Sequence, residues 1–185
     1  MSQNKKAISD FTKLIKWQPS KCLDPTMSCQ AQAIRAHSVQ NATSLAIISE
    51  NDHVYELKPR IINGEPSCMF HRVGRNEAST FLGMCNQHDT EIFKPIDTKP
   101  LEVDDSEQLF LLAYRAVTRE LHAAIAGAMR LQRNYRDSFS RLKPLEIANT
   151  LEGEVAAVHT LKAWGIWKYR STYFDIDLGR KMFKN

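Results

Sequence analysis

The chain has 185 residues, 43% apolar and 25% charged, with a net charge of +4. That is enough for one ordinary core, or for a small module with a helical extension. The polar start MSQNKK leads into no apolar run, and the longest runs, near Leu109 to Tyr114 and Ala123 to Met129, are too short for a bilayer. A soluble, cytoplasmic protein with no membrane partner is expected.

The charge is uneven. Residues 1 to 21, 130 to 143 and 162 to 185 each sum to +4, whereas 22 to 129 sum to −5 and 144 to 161 to −3. Such basic stretches are either nucleic-acid contacts or solvated helix faces. No internal repeat interrupts the chain, and a change of character near residue 103 divides it. The expected parts are a module of residues 1–103, with a basic N-terminal segment, and a helical region of residues 104–185.

In the first part, Ser44 to Ser49 and His53 to Leu57 read as two short strands joined at Glu50-Asn51-Asp52, a β-hairpin. Residues 59 to 67, with Pro59, Gly64 and Pro66, read as a loop. Gly83 permits a tight turn before Cys85. A short helix is expected from about Gln87 to Phe93, stopping before Pro95.

In the second part, Asp105 is a candidate cap, and Gln108 three residues later suggests a capping box. Apolar residues then recur at Leu109, Leu112, Ala113, Ala116, Val117, Leu121 and Ala124, which is helical spacing. This helix is expected to pass Gly127 and reach Tyr135 or beyond, with a break at Pro144. Another begins near Thr150, with Glu152 and Glu154 favourable in its first turn, and runs to about Tyr169. Residues 171 to 185 give no assignable pattern.

Four cysteines in a reducing compartment either bind metal or pack. Cys22 and Cys29 enclose six residues, and Cys85 and His88 have C-x2-H spacing. Zinc takes four thiolate and imidazole ligands in structural sites, so these four are the leading set. Cys68 and His71 form a rival C-x2-H pair, and a site of all four cysteines is a further alternative.

The cysteine pair, Ala36-His37-Ser38-Val39, and then Cys85-Asn86-Gln87-His88-Asp89 resemble the HNH nucleases, a ββα-metal or treble-clef type of module. The stretch GRNEASTFLGMCNQHDTEIFKPID is also similar to a bacterial subgroup with AH-S/T-I/V and C-x2-HD motifs. The resemblance spans roughly residues 20 to 97. It implies an α+β fold, a zinc-stabilised hairpin and short helix followed by a helical C-terminal part. It implies Cys22, Cys29, Cys85 and His88 as ligands of a structural Zn2+, and His37 as general base. Asp89 falls where the family places its last metal-binding histidine, toward a catalytic Mg2+ or Mn2+. The implied activity is cleavage of DNA or RNA.

Chemically, a histidine titrating near neutrality can deprotonate water, and a hard divalent cation favours carboxylate oxygen. Asn76 is the nearest match to the family asparagine. Ala36 stands where these enzymes supply Asp or His to the metal. A second expectation is therefore a non-catalytic zinc module that binds nucleic acid or a protein partner. Arg130, Arg133 and Arg136 share one helix face and are candidate phosphate contacts, as are Arg115 and Arg119. The aromatic group Trp164, Trp167, Tyr169, Tyr173 and Phe174 reads as core or interface.

Overall fold

The structure, a computed structural model, describes residues 18–63, 65–138 and 150–182. The basic segment up to residue 17 and Arg141, Lys143 and Pro144 lie outside the described residues. The fold mixes α and β. In chain order it has β1 (Arg35–His37), a π stretch (Asn41–Leu45) continuing as α1 (Ala46–Ile48), β2 (His53–Ile62), β3 (Glu65–Gly74) and β4 (Thr80–Leu82). Then come α2 (Asn86–Asp97), α3 (Ser106–Ser138), α4 (Leu151–Tyr169), a second π stretch (Arg170–Asp175) and α5 (Ile176–Met182). Two sheets of two strands each pair β1 with β4 and β2 with β3.

The described residues pack as two compact units. Arg35–Phe81 forms one, and the segments before and after it form the other.

Within the first unit the expected hairpin is displaced. Residues 44 to 48 are helical rather than a strand, and the expected loop of 59 to 67 falls largely on the meeting ends of β2 and β3. The antiparallel register runs from His53↔Gly74 to Ile62↔Glu65, and Asn63 opens the connection between the strands. Asparagine suits that place because it tolerates positive φ, and Asn63 has φ 54°. Pro59 is compatible with a strand here because each strand of a two-stranded ribbon has an unpaired edge that needs no N–H. Short apolar runs such as Leu45 to Ile48 fit either period, so packing decides. Leu45 joins Val54, Val73 and Ala78 in a small core, while Ile47 and Ile48 stay exposed.

The second unit holds the larger core: Cys22, Met84, Cys85, Ile92, Phe93, Ile96, Leu111, Tyr114 and Leu178. Helix α2 runs through Pro95 to Asp97 instead of stopping before it. The exit turn is held by Thr98, whose N–H and hydroxyl both donate to the Lys94 carbonyl. Asp105 caps α3 as expected, its Oδ1 accepting the N–H groups of Glu107 (2.9 Å) and Gln108 (3.1 Å). Gln108 does not complete a capping box. It turns inward, accepts from the Glu102 N–H (2.8 Å) and donates to the Pro95 and Pro100 carbonyls.

The buried face of α3 follows the apolar spacing only in part: Leu121 and Ala124 are buried. Leu109, Ala113 and Ala116 are exposed, and the face through Gln108, Leu111, Tyr114, Arg115, Thr118, Leu121 and His122 is buried. Gln108, Arg115, Thr118 and His122 each find an internal hydrogen-bond partner, which offsets the cost of burying them. Arg115 makes a two-pronged ion pair with Asp97 (2.9 and 2.6 Å) beneath the Phe93 ring. It is therefore a core residue and not a phosphate contact.

His122 donates Nε2–H to the Pro19 carbonyl (3.1 Å), and burial lowers its imidazole below the usual value. The folded state thus holds it neutral while the unfolded chain takes up a proton below about pH 6.5. Stability from this group is present above that value and is lost as pH falls through it. The wild-type urea midpoint is expected to drop between about pH 7.5 and about pH 5.5, and to drop less in His122→Gln. Equal drops in both proteins would refute the assignment.

Helix α4 starts where Thr150 Oγ1 accepts the Gly153 N–H (3.2 Å), as expected. It packs along α3, and Gly127 permits the close approach: a Cβ there would meet His159 Nδ1 at 3.2 Å. Trp164, Trp167, Tyr169 and Tyr173 are exposed, whereas Phe174 stacks on Phe110 (5.5 Å) against the core. No helix among the described residues is long and apolar enough to cross a membrane.

Candidate metal centre

Cys22, Cys29, Cys85 and His88 bring one ligand atom each to within 4.8 Å of one another, close enough to hold a metal ion. His88 Nδ1 lies 3.5 Å from Cys22 Sγ and 3.4 Å from Cys85 Sγ. Zn–S and Zn–N bond lengths at tetrahedral angles require S···N separations of about 3.6 Å. The two His88 separations are therefore compatible with zinc.

Local structure explains the convergence. Cys85 is the N-cap of α2 and His88 is its third helical residue. Side chains at those two positions lie together at a helix start, as in a capping box. The other pair is delivered by a folded-back segment. The Cys22 N–H donates to the Ala31 carbonyl (3.2 Å) and the Ala33 N–H to the Ser20 carbonyl (2.6 Å). That segment is tied to the approach of α2: the Leu23 N–H donates to the Gly83 carbonyl and the Ile34 N–H to the Met84 carbonyl, both at 2.8 Å.

Asp24, buried, shapes the loop between the two cysteines. Its Oδ1 accepts the Cys29 N–H (3.0 Å), and its Oδ2 accepts the Thr26 N–H (3.1 Å) and the Thr26 hydroxyl. Burial opposes its charge, but these bonds outweigh it and hold the carboxyl below its usual value. The dipeptide Asp24-Pro25 carries a turn signal that would have marked it.

The thiols differ. Burial pushes Cys22 up to about 12, while the His88 N–H helps to hold Cys85 below the usual thiol value. The Cys85 N–H donates to Cys22 Sγ (3.2 Å), a bond that strengthens when that sulfur is a thiolate. A divalent ion displaces these protons on binding, since the thiolate is the ligand.

Comparison with known proteins gives no match. No family model, no curated protein and no solved structure matches the chain. The centre stands on its own geometry.

The rival ligands separate. Cys68 and His71 both lie on β3, three residues apart. Side chains alternate along a strand, so the two point to opposite faces and cannot chelate together. Cys68 is exposed and is not part of the cluster. The hairpin that carries it belongs to the unit Arg35–Phe81, so the four ligands are gathered by loops and a helix start instead.

His37 ends β1, half-buried, and its Nδ1 donates to the Ala78 carbonyl (2.9 Å). That bond makes Nε2 the lone-pair nitrogen. Asn76 accepts from Asn41 Nδ2 (2.9 Å) in the same unit. Asp89 belongs to the other unit, in the first turn of α2. Burial raises its carboxyl above the usual value, with Arg115 pulling it down and Asp97 pushing it up. Among the arginines, Arg133 is exposed and Arg130 partly buried, which lowers its guanidinium. The Arg136 side chain lies outside the described residues.

Proposed function

We propose that the chain is a zinc-stabilised module whose metal is structural, and that it acts by binding a partner rather than by catalysis. One observation carries the structural role of the metal: protein atoms are available for all four positions of a tetrahedral site, within 4.8 Å of one another. A catalytic zinc keeps one position for water or substrate, and this set leaves none.

The hairpin supports a protein partner. In the register Tyr55↔Arg72 and Leu57↔Phe70, these side chains share one face, and Tyr55, Leu57 and Phe70 are all exposed. Large exposed apolar groups in one patch mark interaction surfaces. Elemental analysis of purified protein tests the metal, with one zinc per chain expected. Binding tests the partner: flat salt dependence fits a protein, and a steep fall with salt points to phosphate contacts.

A second reading is an HNH-like, divalent-metal-dependent nuclease acting on DNA or RNA. The tautomer of His37 favours it, because a lone pair on Nε2 is what a general base needs. It requires His37 and Asp89, from different units, to meet at one magnesium or manganese ion. It predicts cleavage in that ion that disappears in His37→Ala. Cleavage that survives in a clean His37→Ala preparation removes His37 as the base, and no cleavage by the wild type removes the nuclease reading.

A further inference from the structure

The C-terminal π stretch begins with a buried charge that reaches the metal knuckle. Arg170 is completely buried. Its Nη2 donates to the carbonyls of Leu23 (2.8 Å) and Asp24 (3.0 Å), the two residues that follow ligand Cys22. Its Nε lies 3.3 and 3.4 Å from the two carboxylate oxygens of Asp175. The guanidinium stands over the Tyr114 ring at 5.4 Å, and Nη2 approaches Met27 Sδ at 3.7 Å.

The π geometry has a purpose in this arrangement. In an α-helix, residues five apart diverge by about 140° around the axis. Hydrogen bonding of the i→i+5 type turns them toward one side. Arg170 and Asp175 are the first and last residues of the π stretch and form the ion pair across it. A buried guanidinium cannot shed its proton, so it requires such a partner.

We infer that Arg170 is a positioning residue for the metal site, clamping the Cys22–Cys29 loop from the C-terminal helix. This rests on reading the four ligands as a metal centre. The six-residue spacing is longer than the usual two to four, so the loop carries more freedom to be lost on binding. Asp24 removes part of that freedom from inside the loop through its carboxylate. Arg170 removes more from outside, by holding the carbonyl of the same residue. Lysine cannot replace it, because a single ammonium lacks the rigid fork that reaches two carbonyls and a carboxylate together. The coupling is reciprocal: metal binding orders the loop, and the ordered loop supplies the two carbonyls that accept from Arg170 Nη2.

The test is zinc affinity by competition with a chromophoric chelator, on full-length wild type, Arg170→Gln and Arg170→Lys. Both variants are expected to bind zinc about 10- to 100-fold more weakly, the range for groups that orient metal ligands. The d–d bands of the cobalt-substituted variants shift as well, which a general loss of stability would not produce. Variant affinities within about twofold of wild type, with unchanged cobalt spectra, overturn the clamp while leaving the metal centre intact. Wild type that binds no zinc overturns both. Should the variants fail to fold, hydrogen exchange on wild type decides. Zinc removal is expected to speed exchange across Arg170–Asp175 and Ile176–Met182, and unchanged exchange there overturns the clamp.

Discussion

Cys85→Ser is expected to abolish zinc binding, and Cys68→Ser to leave it at one ion per chain. Cys85 supplies a thiolate at the N-cap of α2, beside His88, and its N–H also supports the Cys22 sulfur. Serine keeps the shape but offers a poor ligand at neutral pH. Bound ligand stabilises in proportion to the logarithm of its excess, so zinc at about a thousand times Kd contributes about 4 kcal/mol. For a chain of this size that corresponds to a fall in Tm of roughly 8–16 °C. Both variants are read by elemental analysis and by thermal melts with and without chelator. Zinc lost from Cys68→Ser and retained by Cys85→Ser would overthrow the ligand set.

Phe93→Ala is expected to cost about 3–5 kcal/mol, the usual penalty for emptying a buried aromatic site. Phe93 is 1% exposed in the core that also contains Cys22 and Cys85. Its ring lies 6.1 Å from that of Tyr114, and the Arg115 guanidinium sits 4.1 Å from its centroid. Truncation removes apolar burial and uncovers one face of a buried cation. Phe93→Leu retains most of the volume and should cost less. Urea unfolding at fixed zinc measures both, and a loss below about 1 kcal/mol for the alanine variant would show that α2 is not anchored there.

How much of this was readable in the chain depends on the range of the signal. The capped starts at Asp105 and Thr150 are local: a side-chain oxygen meets an N–H two or three residues away. The Cys85–His88 pairing is local too, because a helix start brings residues three apart together. The turn at Asn63 was equally local, yet the neighbouring prolines argued for a loop. In a two-stranded ribbon an unpaired edge removes that objection.

The buried face of α3 was hidden for a different reason. Hydropathy periodicity counts Gln108, Arg115, Thr118 and His122 as solvent-facing. Thr118 bonds the Tyr114 carbonyl one helical turn back, but the other three find partners outside α3: the Pro95 and Pro100 carbonyls for Gln108, Asp97 for Arg115 and the Pro19 carbonyl for His122. Such partners are a property of the packed chain and leave no mark at the residue itself.

The sequence by itself offered the four ligands as the leading set, beside the rival Cys68 and His71, and marked the start of each long helix, since ligand chemistry and capping act over a few residues. Tertiary structure decided which C-x2-H pair could chelate, by laying Cys68 and His71 along a strand. It also decided that 44 to 48 coil rather than extend, and that Arg170 reaches a loop 147 residues away. These outcomes depend on which surfaces become buried together, and burial is settled only when the whole core assembles.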